Sequence, residues 1–210
     1  MKASDGHEFD AYFAQPKDRP RGGLVVIQEA FGVNAYVRSV CDRFAADGYA
    51  CLAPALYDRQ ERNAAFDSHE EPALSHARKL RKGLVWSDVL NDVDACVQRL
   101  REFGRVGVVG YCVGGSVAWL AALELDIAAA SSFYGRDVVD FLRPPRCPAI
   151  LHFGETDHFI PISDVQRIRA ALPATPVHVY PAGHAFDHEH DSAAARLAHE
   201  RTLELFASAI

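Results

Sequence analysis

An eighteen-residue run without a charged side chain, VGVVGYCVGGSVAWLAAL at positions 106–123, constrains the fold more than any other feature. Its length meets the threshold for a membrane-spanning helix. However, Gly107, Gly110, Gly114 and Gly115 crowd its N-terminal part, and glycine clusters interrupt regular secondary structure. The run therefore predicts a buried strand, a sharp turn and a helix rather than a membrane span.

Apolar and amphipathic stretches alternate along the rest of the chain. Short apolar, often β-branched runs predict buried strands, and apolar residues at helical spacing predict amphipathic helices. The predicted strands are 23–27, 49–54, 106–109, 127–134, 149–154 and 177–180. The predicted helices are 35–47, 72–82, 87–102, a helix that ends at 125, 162–172 and 191–207. Ser87 is the expected N-cap of the helix 87–102.

This order of elements predicts the fold class. Strands that alternate with helices of ten or more residues are typical of an α/β fold, with a mostly parallel sheet flanked by helices. The 210 residues suit one ordinary domain, so we expect a single compact domain over 1–210 without a cap domain. The charged, irregular segment 58–86 is interpreted as an excursion of that domain.

Composition excludes several classes of function. The chain has 22 Lys and Arg against 28 Asp and Glu, a net charge of −6, and so lacks the basic surface of a nucleic-acid binder. Five cysteines without a C-x-x-C pair disfavour a disulfide framework or a zinc knuckle and favour the cytoplasm. The polar first residues predict no signal peptide, and we expect no membrane partner. The segment 187–191, DHEHD, has metal-ligand residues, but nothing completes a tetrahedral site, so neither metal nor cofactor is expected.

The segment 110–115, GYCVGG, places Cys112 between the apolar strand and the following helix. A nucleophile on such a turn adopts a strained conformation, which small residues two positions before and after it permit. The positive end of the helix dipole favours a thiolate, and the N–H of Val113 is a natural oxyanion donor. A small buried cysteine in a glycine-rich turn would give the same local pattern.

An acid and a histidine follow later strands in the order that α/β-hydrolases use. Asp157 lies in the loop after the strand 149–154, and His184 lies in the loop after the strand 177–180. A Cys–His–Asp triad is chemically sound because His184 can carry a proton while Asp157 fixes its tautomer. The sequence therefore predicts nucleophilic catalysis by Cys112.

Five loops together resemble the dienelactone hydrolase family, which includes carboxymethylenebutenolidases. The motifs are QEAFGVNAYVR, GYACLAPALYDRQ, GYCVGG, GETDHFIP and AGHAFD. The resemblance implies an α/β-hydrolase that cleaves a small ester or lactone through an acyl-thioester, with Cys112, Asp157 and His184 as its triad. It also implies that Glu29 acts beside the nucleophile and that the Ala30 N–H is a second oxyanion donor. A buried Glu29 that only bonds to neighbouring backbone is the structural alternative.

The predicted substrate site departs from the family pattern. The family holds its lactone carboxylate with two arginines, and His188 and Leu74 stand at those positions. Arg78 and Arg81 follow one and two helical turns after Leu74 and could substitute. An imidazole binds carboxylate less well than a guanidinium, so we expect a small-ester or lactone hydrolase with altered preference. The expected pocket aromatics are Phe31, Tyr111 and Tyr134, although packing alone would also explain them.

Two other classes of protein compete with this interpretation. Class I glutamine amidotransferases also use a G-x-C-x-G turn, but their histidine pairs with an acid two residues later, where this chain has Phe186. A non-catalytic ligand-binding or redox-sensing thiol protein could share the scaffold, because fold alone does not fix function. We expect a monomer or a small homo-oligomer.

Overall fold

The computed structural model describes all 210 residues, Met1–Ile210. Its strands are β1 (Ala11–Ala14), β2 (Gly23–Ile27), β3 (Ala50–Pro54), β4 (Val106–Tyr111), β5 (Ala129–Phe133), β6 (Ala149–Gly154) and β7 (Val177–Tyr180). Its α-helices are α1 (Ala35–Ala46), α2 (Ala73–Lys82), α3 (Trp86–Leu100), α4 (Val113–Glu124), α5 (Ile162–Ala171) and α6 (Ala193–Ala209). Short 3₁₀ turns occupy Leu56–Arg59, Arg101–Phe103, Arg136–Asp140 and Phe186–His188.

Seven strands form one mostly parallel sheet in the order β1-β3-β2-β4-β5-β6-β7. Strand β1 pairs antiparallel with β3, whereas β2–β3, β5–β6 and β6–β7 are parallel pairs. Every residue of β2 to β6 is buried, as expected of strands that helices cover on both faces. The predicted α/β architecture is confirmed.

The uncharged run 106–123 forms β4, a turn at Cys112, and α4. All of α4 except its last residue, Glu124, is buried, which explains why this helix is apolar on every side. The prediction of strand, turn and helix is confirmed. None of the helices combines the length and the apolar character that crossing a membrane requires.

The chain forms two compact units, Met1–Gly107 and Val108–Ile210. In the first unit, α1 and α3 pack on β2 and β3. The fully buried Asp92 of α3 accepts two hydrogen bonds from Arg59, at 3.0 and 2.7 Å, and Arg59 also lies 2.8 Å from Asp5. In the second unit, α4 packs on β5, and α6 packs on β5 and β6.

Three local details differ from the prediction. Strand β1 was not predicted, because its four residues are partly exposed at the sheet edge and carry no apolar alternation. Ser87 is not an N-cap, since α3 begins at Trp86 and the amide of Val89 donates to the carbonyl of Val85 at 3.0 Å. The last helix begins at Ala193, two residues later than predicted, because the Ser192 hydroxyl caps it.

Candidate active site

Cys112 occupies a strained turn between β4 and α4. Its φ is 56° and its ψ is −116°, in a region that non-glycine residues rarely adopt. Its amide donates to the Phe133 carbonyl at the end of β5 at 3.0 Å. Its carbonyl accepts from the amides of Gly115 and Ser116 at 3.0 and 3.3 Å. Hydrogen bonds on both sides therefore hold the residue in this conformation.

Glycines allow the backbone around Cys112 to approach this closely. A Cβ at Gly110 would lie 1.9 Å from the Gly114 carbonyl oxygen, and one at Gly115 would lie 2.3 Å from the Phe133 carbonyl oxygen. Real Cβ atoms essentially never approach a backbone atom within 3.0 Å. The turn that carries Cys112 therefore requires glycine at both positions. The reason is that backbone atoms leave no space for a Cβ, since neither glycine has a positive φ.

Asp157 and His184 form a directed pair at the carboxyl ends of β6 and β7. The Nδ1 of His184 lies 2.7 Å from the Oδ2 of Asp157, whose side chain is completely buried. The other carboxylate oxygen accepts from the backbone amides of Phe159 and Ile160 at 2.7 and 3.2 Å. With both oxygens engaged, the carboxylate is fixed in the orientation that holds the imidazole.

His184 also forms a hydrogen bond with Cys112, which brings the three predicted triad residues together. Burial lowers the pKa of His184, but the hydrogen bonds to Asp157 and Cys112 and their negative charges outweigh it and raise the pKa to about 10. An imidazolium is therefore favoured at neutral pH, and it is the natural partner of a thiolate. The Val113 N–H, at the first position of α4, belongs to the helix-end donors that lack an intrahelical acceptor.

Two aromatic rings flank the imidazole of His184. The Tyr134 ring centroid lies 4.9 Å away, and the Phe159 ring approaches edge-on at 5.0 Å. Tyr134 was predicted near the pocket, but Phe159 was missed, although it stands only two residues after Asp157. Phe159 is also 56% exposed, so a large apolar surface lies open beside the histidine.

The four other cysteines lack the surroundings of Cys112. Cys41, Cys51 and Cys96 are buried, as predicted for small core residues, and burial raises the pKa of each thiol. Burial also raises the pKa of Cys147, to about 11. These environments favour the neutral thiol, which is a poor nucleophile.

Three other predicted site residues, Glu29, Ala30 and Phe31, lie in the loop after β2. Glu29 follows β2 and is buried, and the carbonyl of Ala30 accepts from the Tyr57 hydroxyl at 2.8 Å. Phe31 is half-buried and stacks on His69 with a centroid distance of 4.3 Å. Glu29, Ala30 and Phe31 belong to the unit Met1–Gly107, whereas the predicted triad residues belong to the unit Val108–Ile210.

Tyr111 is completely buried and stacks on Phe133 at 4.7 Å. On α2, Arg78 is exposed and Arg81 is half-buried, and His188 is half-buried in the 3₁₀ turn Phe186–His188. His190 lies 3.8 Å from Asp187, and no group of His, Cys, Asp and Glu side chains is arranged to hold a metal ion.

A model of the dienelactone hydrolase family matches residues 9–210. The chain belongs to the dienelactone hydrolase family. Carboxymethylenebutenolidase of Pseudomonas putida is 35% identical over 99% of this chain and 94% of its own length. Carboxymethylenebutenolidase 1 of Cupriavidus pinatubonensis is 29% identical over the same shares. The crystal structure of a Klebsiella pneumoniae protein assigned as a dienelactone hydrolase has a TM-score of 0.85 and 31% identity over 98% of this chain and 96% of that one.

Family membership confirms the resemblance that the five loop motifs indicated, and with it the α/β-hydrolase fold. This dienelactone hydrolase family member is therefore an enzyme of the lactone and ester hydrolase class. Membership also favours this class over an amidotransferase.

Replacing Gly110 by alanine is expected to lower the free energy of unfolding by about 3 kcal/mol, because the new methyl group overlaps backbone rather than a flexible side chain. Gly183→Ala is the matched control, since its nearest neighbour would be 3.9 Å away, and we expect a change below about 0.5 kcal/mol. Chemical denaturation of both variants measures the difference. Equal stability of the two variants would show that the turn does not depend on this contact.

Proposed function

We propose that this enzyme hydrolyses small esters or lactones through a covalent acyl-thioester on Cys112. The observation that carries the proposal is the double engagement of His184, which bonds to Cys112 on one side and to the buried Asp157 on the other. This arrangement supplies a nucleophile, a proton carrier and a group that fixes its orientation.

In the first half-reaction, the Cys112 thiolate attacks the carbonyl carbon of the substrate, and a C–S bond forms. The negative charge that develops on the carbonyl oxygen is stabilised by the Val113 N–H. The ester C–O bond then breaks, and the His184 imidazolium gives its proton to the departing alcohol oxygen. An acyl-thioester and a neutral imidazole result.

In the second half-reaction, neutral His184 takes a proton from water, and the resulting hydroxide adds to the acyl carbon. The C–S bond breaks, the carboxylic acid leaves, and the thiolate and imidazolium are restored. Asp157 keeps its charge throughout and stabilises the imidazolium whenever it forms. On the QEAFG motif alone, we further propose that Glu29 assists deprotonation of Cys112 and that Ala30 supplies a second oxyanion donor.

The substrate is proposed to differ from the carboxylate-bearing lactone of the family. A histidine stands at 188 and a leucine at 74, at the positions where the family has its two carboxylate-binding arginines. The exposed face of Phe159 beside His184 instead favours apolar acyl groups. We therefore expect short acyl esters, or lactones without a carboxylate, as better substrates.

Trapping of an acyl adduct tests the nucleophile. With a slowly hydrolysed activated ester, we expect a burst of one product equivalent and a mass increase on the peptide that contains Cys112. Cys112→Ala should abolish both, whereas Cys147→Ser, which alters a half-buried cysteine elsewhere, should retain them. Undiminished hydrolysis by Cys112→Ala would refute the mechanism.

The pH dependence tests the role of His184. For an alkyl ester, kcat/KM should fall as the pH rises through about 10, because the imidazolium that protonates the leaving alcohol is lost. Asp157→Asn removes a charge that raises this pKa, so its basic limb should move to lower pH. A nitrophenyl ester, whose leaving group needs no proton, is the matched control and should show a weaker basic limb. A limb that stays in place in Asp157→Asn would contradict this assignment.

A substrate panel tests the altered preference. Short acyl esters should be hydrolysed with higher kcat/KM than dienelactone, and His188→Arg should raise the rate with dienelactone by about tenfold by restoring a charge-assisted hydrogen bond. The same variant should leave the rates with uncharged esters nearly unchanged. A strong wild-type preference for dienelactone would show that the family specificity is retained.

A further inference from the structure

Five side chains of the second unit form a continuous hydrogen-bond chain, called here the His152 chain, and all of them except the half-buried Arg201 are buried. The two ring nitrogens of His152, on β6, lie 2.8 Å from the Tyr180 hydroxyl of β7 and 3.1 Å from the Thr202 hydroxyl of α6. Thr202 lies 2.8 Å from the Ser131 hydroxyl of β5, and Arg201 donates to Tyr180 at 3.1 Å. The chain therefore joins three strands to the last helix.

One assignment of hydrogens gives every group in this chain a partner. A guanidinium can only donate, so the Tyr180 oxygen accepts from Arg201, and the Nδ1 of His152 is the acceptor within reach of the Tyr180 hydroxyl hydrogen. In this assignment the Nε2–H of His152 donates to Thr202, and Thr202 donates to Ser131. The hydroxyls of Tyr180 and Thr202 each donate one hydrogen bond and accept one along this path, and Ser131 accepts the last bond. This assignment corresponds to the neutral, Nε2-protonated tautomer of His152.

The surroundings of His152 agree with a neutral ring. His152 is completely buried, and this burial, together with His178 on β7 and Arg201 on α6, lowers its pKa well below the usual value. The rings of Phe133 and His178 lie 4.4 and 5.9 Å from it. An imidazolium would place a second cation against Arg201 and a second donor against Tyr180.

The His152 chain also contacts the residues that surround the catalytic histidine. The carbonyl of His152 accepts from the Tyr134 amide at 2.7 Å, and the Tyr134 ring flanks His184 at 4.9 Å. The Tyr180 ring lies 5.2 Å from Phe186, which lies 5.3 Å from Tyr134. The backbone of His152 and, through Tyr180 and Phe186, the Nδ1 side of its ring are thus connected to the wall of the His184 site.

The backbone continues this connection to the triad itself. Just before Asp157, the amide of Glu155 donates to the Tyr180 carbonyl at 2.8 Å, and that of Thr156 donates to the Ala182 carbonyl at 3.0 Å. These bonds join the end of β6 to the loop that carries His184. A shift of Tyr180 would therefore change the distance between the two catalytic side chains.

We propose that His152 is a positioning residue, whose neutral ring bonds at both nitrogens and so holds β6, β7 and α6 in the register in which Asp157 meets His184. The inference rests on the proposed function of that pair. A buried polar chain stabilises a protein little more than apolar residues of equal size, but fully satisfied it admits only one geometry. Catalysis is sensitive to such geometry, since a displacement of about 1 Å can cost on the order of a hundredfold in rate.

Tyr180→Phe and Thr202→Val test the proposal, because each removes one hydroxyl beside His152 and leaves the side-chain volume nearly unchanged. We expect kcat for an alkyl ester to fall about tenfold with KM little changed. The basic limb of kcat/KM should also move to lower pH as the His184–Asp157 bond weakens. His178→Gln, on the same strand and beside the same ring but outside the chain, is the matched control and should retain kcat and the limb.

Thermal unfolding of each variant separates a positioning role from a merely structural one. Variants that are folded at the assay temperature and keep the wild-type kcat and pH profile would overturn the proposal. The proposal would also be overturned if activity fell only in proportion to the fraction of folded protein, while the basic limb of the kcat/KM profile stayed at the wild-type pH.

A measurement without substrate distinguishes this inference from the proposed function. Alkylation of Cys112 by iodoacetamide at pH 7, located by peptide mass spectrometry, should slow in Tyr180→Phe and Thr202→Val but not in His178→Gln. Slower alkylation without any ester hydrolysis by the wild type would refute the proposed function and support the positioning role. Hydrolysis that depends on Cys112 but is unchanged in both chain variants would refute the positioning role alone.

Discussion

The close approach of backbone around Cys112 is the constraint on which the site depends. The residue has a φ of 56°, a conformation that costs on the order of 1–3 kcal/mol and needs support from its surroundings. The support comes from α4, whose side chains are buried along nearly its whole length and anchor the turn in the core. Glycines at 110 and 115 allow this packing because any side chain there would overlap backbone. The proposed nucleophile, Cys112, is thus held in place by the folding of the helix that follows it.

The parallel sheet then determines which side chains lie near Cys112. Strands β4 to β7 are neighbours in the sheet, and their carboxyl ends open on one edge, where the loops of an α/β sheet carry reactive groups. The loops after β4, β6 and β7 supply Cys112, Asp157 and His184. The strand between them, β5, is followed by Tyr134, whose φ is 39° and whose ring borders His184. Each of the four strand ends therefore contributes to one cluster of side chains.

The sequence predicted the parts of this arrangement that have a local signal. Buried parallel strands leave continuous apolar runs, and the order of Cys112, Asp157 and His184 follows from the order of the strands. The edge strand β1 has no such signal, because only one of its four residues is buried. The His152 chain was equally invisible, since its residues are far apart in sequence. Only the register of β6 against β7, in which Gly154 pairs with Tyr180, and the packing of α6 bring them together.

Two histidines of the second unit show that the hydrogen-bonding partners of an imidazole, rather than its burial, determine whether the charged or the neutral ring is favoured. Burial lowers the pKa of both His152 and His184. His184 faces the Asp157 carboxylate and the Cys112 sulfur, whose hydrogen bonds and charges raise the pKa of the imidazole and suit it to the proton transfers proposed for it. His152 faces two hydroxyls and the cation of Arg201, so protonation would cost both a charge repulsion and a hydrogen bond. A ring that burial keeps neutral is suited to holding distances constant, and we propose that proton transfer by His184 depends on those distances.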